Sequence, residues 1–401
     1  MPIRLGAALL AGFCVALLWA GAARAQETEE VFVEDSLGQP VAAETLVVPD
    51  EYVVAKVVAI PDQGMTELGG VPQPYQEVEL EITRGPEKGK RITVAHGGEI
   101  TIRDYQKVTV GERVVLLKNV GVDGEVAYYI ADHYRLPSLA WVVAIFFGLV
   151  VFFGRWRGFT SIIGIAVSIV VLASFIIPRI LNGSSPLGMS LVGAVIIAVI
   201  SLYVAHGFNR RTSIALGSTL ITLGLAAGLA LLFVSLAKLS GVGTEEAFYL
   251  QFGALENLNL KGLLLGGIII GALGVLDDIT TGQTAAVAQI HEANPDLSRR
   301  ELVRRGLVVG REHIASLVNT LVLAYAGAAF PLLLLFSMNT EVPLWTTLNS
   351  EMVAEEVIRT LVGSSALVLA VPIATLLAAK FIVRGKNTTT PSNGERVEDL
   401  H

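Results

Sequence analysis

Between residues 139 and 383 the chain is dominated by Ile, Leu, Val, Ala, Gly and Phe. The apolar residues fall in runs near 138–154, 160–181, 187–206, 213–236, 262–282, 314–337 and 358–383. A helix needs about 20 residues to cross the hydrocarbon core of a bilayer, so these runs predict seven membrane-spanning helices. The pattern before them is different. Tyr52–Ile60, Tyr75–Thr83, Arg91–Ala95, Lys107–Lys118 and Val126–Tyr134 alternate apolar and polar positions. In Glu77-Val78-Glu79-Leu80-Glu81-Ile82 the apolar side chains share one face, as a half-buried strand requires. Turn signals at Gly85-Pro86-Glu87-Lys88-Gly89, Gly97-Gly98 and Val122-Asp123-Gly124 separate the strands. Five short strands predict a small all-β domain, either an OB-like barrel or a sandwich.

The first 25 residues have the layout of a signal peptide. Arg4 precedes an apolar run from Leu5 to about Ala20, and Ala23-Arg24-Ala25 forms an A-x-A cleavage site before Gln26. An uncleaved first helix is the alternative. Either way the β domain is expected outside the membrane. The predicted plan is a signal peptide (1–25), a flexible acidic leader (26–50) and an extracytoplasmic β domain (51–136). A seven-helix transmembrane domain (137–385) follows, with a cytoplasmic hairpin near 283–312. A disordered cytoplasmic tail (386–401) ends the chain. Segment 244–260, with Thr244 as a helix cap, reads as an interfacial helix or a re-entrant segment.

Basic residues test the direction of threading. Arg155, Arg157, Arg210, Arg211, Arg299, Arg300, Arg304, Arg305, Arg311, Lys380, Arg384, Lys386 and Arg396 fall on the expected inner side. Only Arg179, Lys238, Lys261 and Arg359 fall on the outer side. Cytoplasmic loops carry the excess of Lys and Arg, so the C-terminus is expected in the cytoplasm of a bacterial plasma membrane. Composition agrees with the membrane reading. Charged residues make up 16% of the chain, against roughly 25% in soluble domains. The one cysteine, Cys14, lies in the segment expected to be removed, which leaves no thiol for a disulfide or a metal.

The fifth apolar run carries the chemistry. Gly262/Gly266 and Gly267/Gly271 have small-xxx-small spacing. Asp277 and Asp278 follow, about 22 Å into a ~30 Å core. An ionised carboxylate there costs at least ~2.5–3.5 kcal/mol unless water, a cation or a donor meets it. Asp277, Thr281, Thr284 and His291 share one helical face, and Asp278, Thr281, Gln289 and Glu292 lie beside it. Ser298-Arg299-Arg300-Glu301 is a capping box for the next helix, whose basic face can pair with the acidic stripe. Asn319 lies about 12 Å beyond Arg311, at a depth matching the two aspartates. One reading makes this an ion or proton site with Asp277 or Asp278 titrating, Thr281, Gln283 and Asn319 as neutral ligands, and Arg311 at its edge. The other has the carboxylates paired with loop arginines to hold the hairpin. His206 reads as interfacial, and Ser218, Thr219, Thr222, Gly363, Ser364 and Ser365 as packing residues. Pro331 and Pro372 are expected to kink or break their helices.

No metal or cofactor is expected. His96 and His133 lack the converging ligands a metal needs. The acidic exported domain has no basic patch interleaved with aromatics, which argues against nucleic acid. No H-E-x-x-H, no G-x-S-x-G with a plausible histidine and no cofactor loop is present, so the chain is not expected to be an enzyme.

The stretch GALGVLDDITTGQTAAVAQIHEANPDLSRRELVRRGLVVGREHIASLVNTLVLAYAGAAFPLLLLF, with the later NSEMVAEEVIRTLVGSSALVLAVPIATLLAA, resembles the YibE/F-like family of bacterial multi-pass membrane proteins. The likeness covers roughly 139–383. By similarity, the family's Gly-x-x-x-Asp, Gly-Arg and Asn-Thr elements fall on Asp277 or Asp278, Gly310-Arg311 and Asn319-Thr320. The resemblance implies the architecture and leaves activity open. Two functional classes follow from the residues. The first is an ion-coupled permease for a small solute or ion. The second is a sensory or scaffold protein whose β domain binds an envelope partner. The bilayer is the partner common to both, and a homo-oligomer is compatible with either.

Overall fold

The computed structural model describes residues 32–34, 40–42, 51–68, 71–98, 101–120, 125–252, 258–338 and 343–384. The expected signal peptide, most of the leader and the C-terminal tail lie outside these residues. Within the leader, β1 (Phe32–Glu34) and β2 (Pro40–Ala42) form a short antiparallel ladder. The described residues divide into two compact units, one ending at Leu149 and a helical one from Val150 onward.

The first unit contains β3 (Glu51–Leu68), β4 (Val71–Ile82), β5 (Arg91–His96), β6 (Arg113–Val120) and β7 (Val126–His133). They form one antiparallel sheet in the order β5-β4-β3-β6-β7. The sheet curls into a half-barrel, so the OB-like alternative describes it better than a two-sheet sandwich. Alternation produces the core: Val53, Ala55, Val57, Val78, Leu80, Ile82, Val94, Val114 and Leu116 all point inward and are buried. Breaks in register between Val57 and Asp62 let β3 bend, and bulges of this kind increase local twist. β3 extends past the predicted end at Ile60 because residues 62–68 pair with 71–77 through backbone bonds. The side chains of that arm are mostly exposed, so no hydrophobic alternation announces it.

The strand expected from Lys107 starts only at Arg113. Val108 is buried as its apolar character predicts, but its backbone does not join a ladder. The Gln76 amide takes the place of a neighbouring strand: Val108 N donates to Gln76 Oε1 at 2.8 Å, and Gln76 Nε2 donates to Val108 O at 3.1 Å. Replacing Gln76 with Leu should lower the stability of this unit by about 1–3 kcal/mol, because two buried backbone groups lose their partners. Thermal denaturation of residues 51–135 measures this.

Nearby, His96 is buried, and its Nε2 lies 2.9 Å from Gln106 O. Burial holds its imidazole below the ordinary 6.5; the Gln106 carbonyl opposes this and His133 adds to it. The unfolded chain therefore binds this proton more tightly than the folded one. His96 supports stability above pH 6.5 and that support is lost as pH falls below it. Between about pH 7.5 and about pH 5.5 the melting temperature should fall further in the native unit than in His96→Gln.

The second unit is helical. It takes up α1 (Leu136–Val171) from Val150 and continues through a π-turn at Leu172–Ile176, α2 (Ile177–Leu181), α3 (Pro186–His206), α4 (Arg210–Leu236), α5 (Glu245–Phe252) and α6 (Leu260–Ala293). It continues with α7 (Arg299–Ala328), α8 (Phe330–Met338), α9 (Leu344–Leu348) and α10 (Glu351–Arg384). Six helices among the described residues are long and apolar enough to cross a membrane. The first of these, Leu136–Leu181, has 46 residues, which at 1.5 Å each give about 69 Å, twice what one crossing needs. Arg155, at φ 51 and ψ −133, interrupts it. The first two predicted runs lie on either side of that break.

Helix ends follow the polar signals. Asn209, Asn259 and Ser298 cap α4, α6 and α7. Thr244 caps the short α5 through Ala247 N at 3.2 Å. α7 runs unbroken from the predicted hairpin into the sixth apolar run and ends shortly before Pro331. Glu301 does not complete a capping box; it pairs with Arg304 and Arg305. The expected pairing of the basic face with the acidic stripe of α6 is replaced by one between Arg211 of α4 and Glu292. At the other end of the unit, Glu351 of α10 accepts hydrogen bonds from Ser240 and Gly241, and Glu355 accepts one from Gly243 N at 2.9 Å.

α6 is the central helix, packed on α3, α4, α7 and α10. Its core neighbours include Ala194, Ala198, Leu223, Ala226, Leu367 and Ala370. Small residues let these backbones approach closely. A Cβ on Gly266 would fall 2.3 Å from Ser190 Oγ, so α3 can lie against α6 only where no side chain intervenes.

Candidate functional site

Residues 277–284 of α6 present polar groups to three different surroundings. Gln283 is fully buried where α6, α7 and α10 meet. Its Nε2 donates to Gly306 O and to Thr375 Oγ1, both at 2.8 Å. Thr375 Oγ1 is free to accept because it donates its own proton to Val371 O. Gly310 makes the fit: a Cβ there would lie 2.3 Å from Val371 Cγ1 and 3.1 Å from Gln283 Nε2. One turn away, Thr280 pairs with Thr219 of α4, oxygen to oxygen at 2.7 Å. These residues tie four helices together by side-chain bonds.

Asp277 is different. It is half-buried, and its Oδ1 is sealed from the surface with no hydrogen-bond partner among the described residues. Thr281 Oγ1 and Thr284 Oγ1, one and two turns further along the same face, are likewise buried without partners, as is His291 Nδ1 beyond them. Buried polar atoms normally find partners. A row of such atoms on one face of a membrane helix is therefore a place where water, a proton or a cation can be accommodated. Asp278 sits on the exposed side of α6. It lies within electrostatic range of His206, at the end of α3, and His206 in turn interacts with Arg157 of α1.

The sequence-derived set is thus only partly assembled. Asp277, Asp278 and Thr281 are neighbours, and Gln283 serves as a cross-link between helices. Asn319 and Arg311 are exposed on α7 and make no hydrogen bond or ion pair within the chain among the described residues. The reason is angular. Gly310 faces Gln283, and Asn319, nine positions on, is rotated by about 180° to the far side of α7. Its depth does match the aspartates, since Tyr325 OH reaches the neighbourhood of Gly271 further along the same helix pair. His206 and Arg157 were missed as site residues because their proximity to Asp278 comes from the packing of α1 and α3. No three His, Cys, Asp or Glu residues among those described converge as metal ligands.

A half-barrel joined to a bundle of apolar helices, with acidic residues inside one span, defines a polytopic membrane protein. The model of the YibE/F-like protein family matches residues 142–384, more than half of the chain, and the chain belongs to that family. No curated protein and no solved structure matches it.

The Gln283 junction makes a direct prediction. Gln283→Leu should lower the melting temperature of the detergent-purified protein, because Gly306 O and Thr375 lose their donor, at a cost of about 1–3 kcal/mol. Gly310→Val should cost more, since Val371 has no room to retreat. Intrinsic fluorescence melts measure both.

Proposed function

We propose that the protein is an ion-coupled permease of the plasma membrane, with Asp277 and Asp278 as its ion-binding carboxylates. In this reading the β domain faces outward and the C-terminus lies in the cytoplasm, as the distribution of arginines favours. The single observation that carries the reading is the Asp277 carboxylate. It lies within a candidate membrane span, and one oxygen is sealed from the surface without a partner among the described residues. Acidic residues inside membrane spans are costly to keep and mark ion or proton pathways. Thr281 and Thr284 extend the acceptor row, while Asp278, His206 and Arg157 form a charged mouth beside it. The mouth passes ions between water and Asp277, and the row carries them along α6.

The reading predicts that proteoliposomes containing the native chain respond to an imposed proton or sodium gradient with measurable ion movement. Asp277→Asn should abolish that movement while leaving the melting temperature within a few degrees of native. Asp278→Asn and His206→Gln should slow it. Unaltered flux in a folded Asp277→Asn protein would remove the site from consideration.

A further inference from the structure

The membrane helix with the least apolar sequence is also the one least covered by the rest of the chain. Of the six long apolar helices, α7 has the weakest hydropathy, and almost none of its apolar window is buried. Lipid tails cannot hydrogen-bond, so polar side chains in a span normally face protein. The inward face of α7 is accounted for: Leu302, Gly306 and Gly310 are buried, and Ile314, Leu317 and Val318 pack on the central core. Its outward face carries Val308, Glu312, Ala315, Asn319 and Val322, all exposed. These positions are spaced by alternating fours and threes, the seam of two helices packed side by side. Asn319 lies in that seam about 12 Å beyond Arg311, with no partner for its amide among the described residues.

We propose that a second copy of this chain covers the outward face of α7, forming a two-fold dimer in which Asn319 meets its own counterpart. A carboxamide both donates and accepts, so two of them related by a two-fold axis satisfy each other. Charge complementarity favours the same occupant. Arg311 and Glu312 stand side by side at the end of the seam, neither in an ion pair within the chain among the described residues. Across a two-fold axis each acid comes near the other copy's base. The chain's own first apolar segment is a poorer occupant, because residues 142–154 contain no polar side chain to meet the amide. The proposal stands apart from the transport reading and does not depend on it.

Disulfide cross-linking of the full chain in native membranes tests it. In a Cys14→Ser background, single cysteines are placed at the seam (Ala315→Cys, Asn319→Cys, Val322→Cys) or on the inward face (Leu317→Cys, Val318→Cys, Leu321→Cys). Mild oxidation should give a band at twice the monomer mass for the seam set only. In Val322→Cys, adding Asn319→Leu should reduce dimer yield severalfold, whereas adding Asn319→Gln should preserve most of it. Absence of the dimer band from the seam set, equal bands from both sets, or a cross-link to a protein of another mass would each overturn the proposal.

Discussion

A single buried amide fixes how the central helix is turned. Gln283 reaches Gly306 of α7 and Thr375 of α10 at once, and it does so in a space that exists only because Gly306 and Gly310 have no side chains. In a bilayer, van der Waals fit and hydrogen bonds between helices decide rotation, since no hydrophobic effect distinguishes a neighbouring helix from lipid. Thr280 and Thr219 fix the same rotation from the side of α4. With α6 held from both sides, Asp277, Thr281 and Thr284 fall on the flank between them and the open face, and Asp278 on the open face itself. The candidate site follows from the cross-links.

This explains why depth was more legible along the chain than direction. Counting residues along a helix of known rise places Asp277 and Asn319 at matching levels, and the packing of Gly310 on Gln283 and Tyr325 near Gly271 agrees with that. Direction needs a reference mark, and the mark here is a glycine contact that no periodicity reveals. Polarity marked Gln283 as a candidate ligand, but no periodicity showed that its Nε2 would bond across to α7 and α10. His206 was read as interfacial, and its exposure is compatible with that; what no pattern along α3 announced is its electrostatic interaction with Asp278.

The β unit shows the same division between what a pattern can and cannot reveal. Its inward residues were legible because alternation is a property of each strand alone. The extent of the strands was not. The arm of β3 and β4 is held by backbone pairing, with the β3 side chains mostly exposed, and the predicted start of β6 is displaced because Gln76 bonds Val108 as a strand would. In both units, then, a glutamine amide does what regular secondary structure does elsewhere. Gln76 supplies a donor and an acceptor, and Gln283 supplies a donor to two acceptors, at places the ladder or helix cannot reach.

Polar side chains in the helical unit sort into three kinds of environment, and the sorting bears on function. Gln283 Nε2, Thr280 and Thr375 are bonded to neighbouring helices inside the bundle. Asn319, Arg311 and Glu312 look outward from a helix that the chain leaves largely uncovered, which is where a neighbouring molecule would be read. Asp277, Thr281 and Thr284 belong to neither class: their buried oxygens are inside the protein and unpaired. Packing gives no reason to keep unpaired oxygens at membrane depth, because apolar side chains of similar size would fill the same space without the desolvation cost. The first two kinds hold the bundle or face away from it, and the third lines up unused hydrogen-bonding capacity along one face of α6, with Gln283 Oε1 as a further buried oxygen without a partner among the described residues.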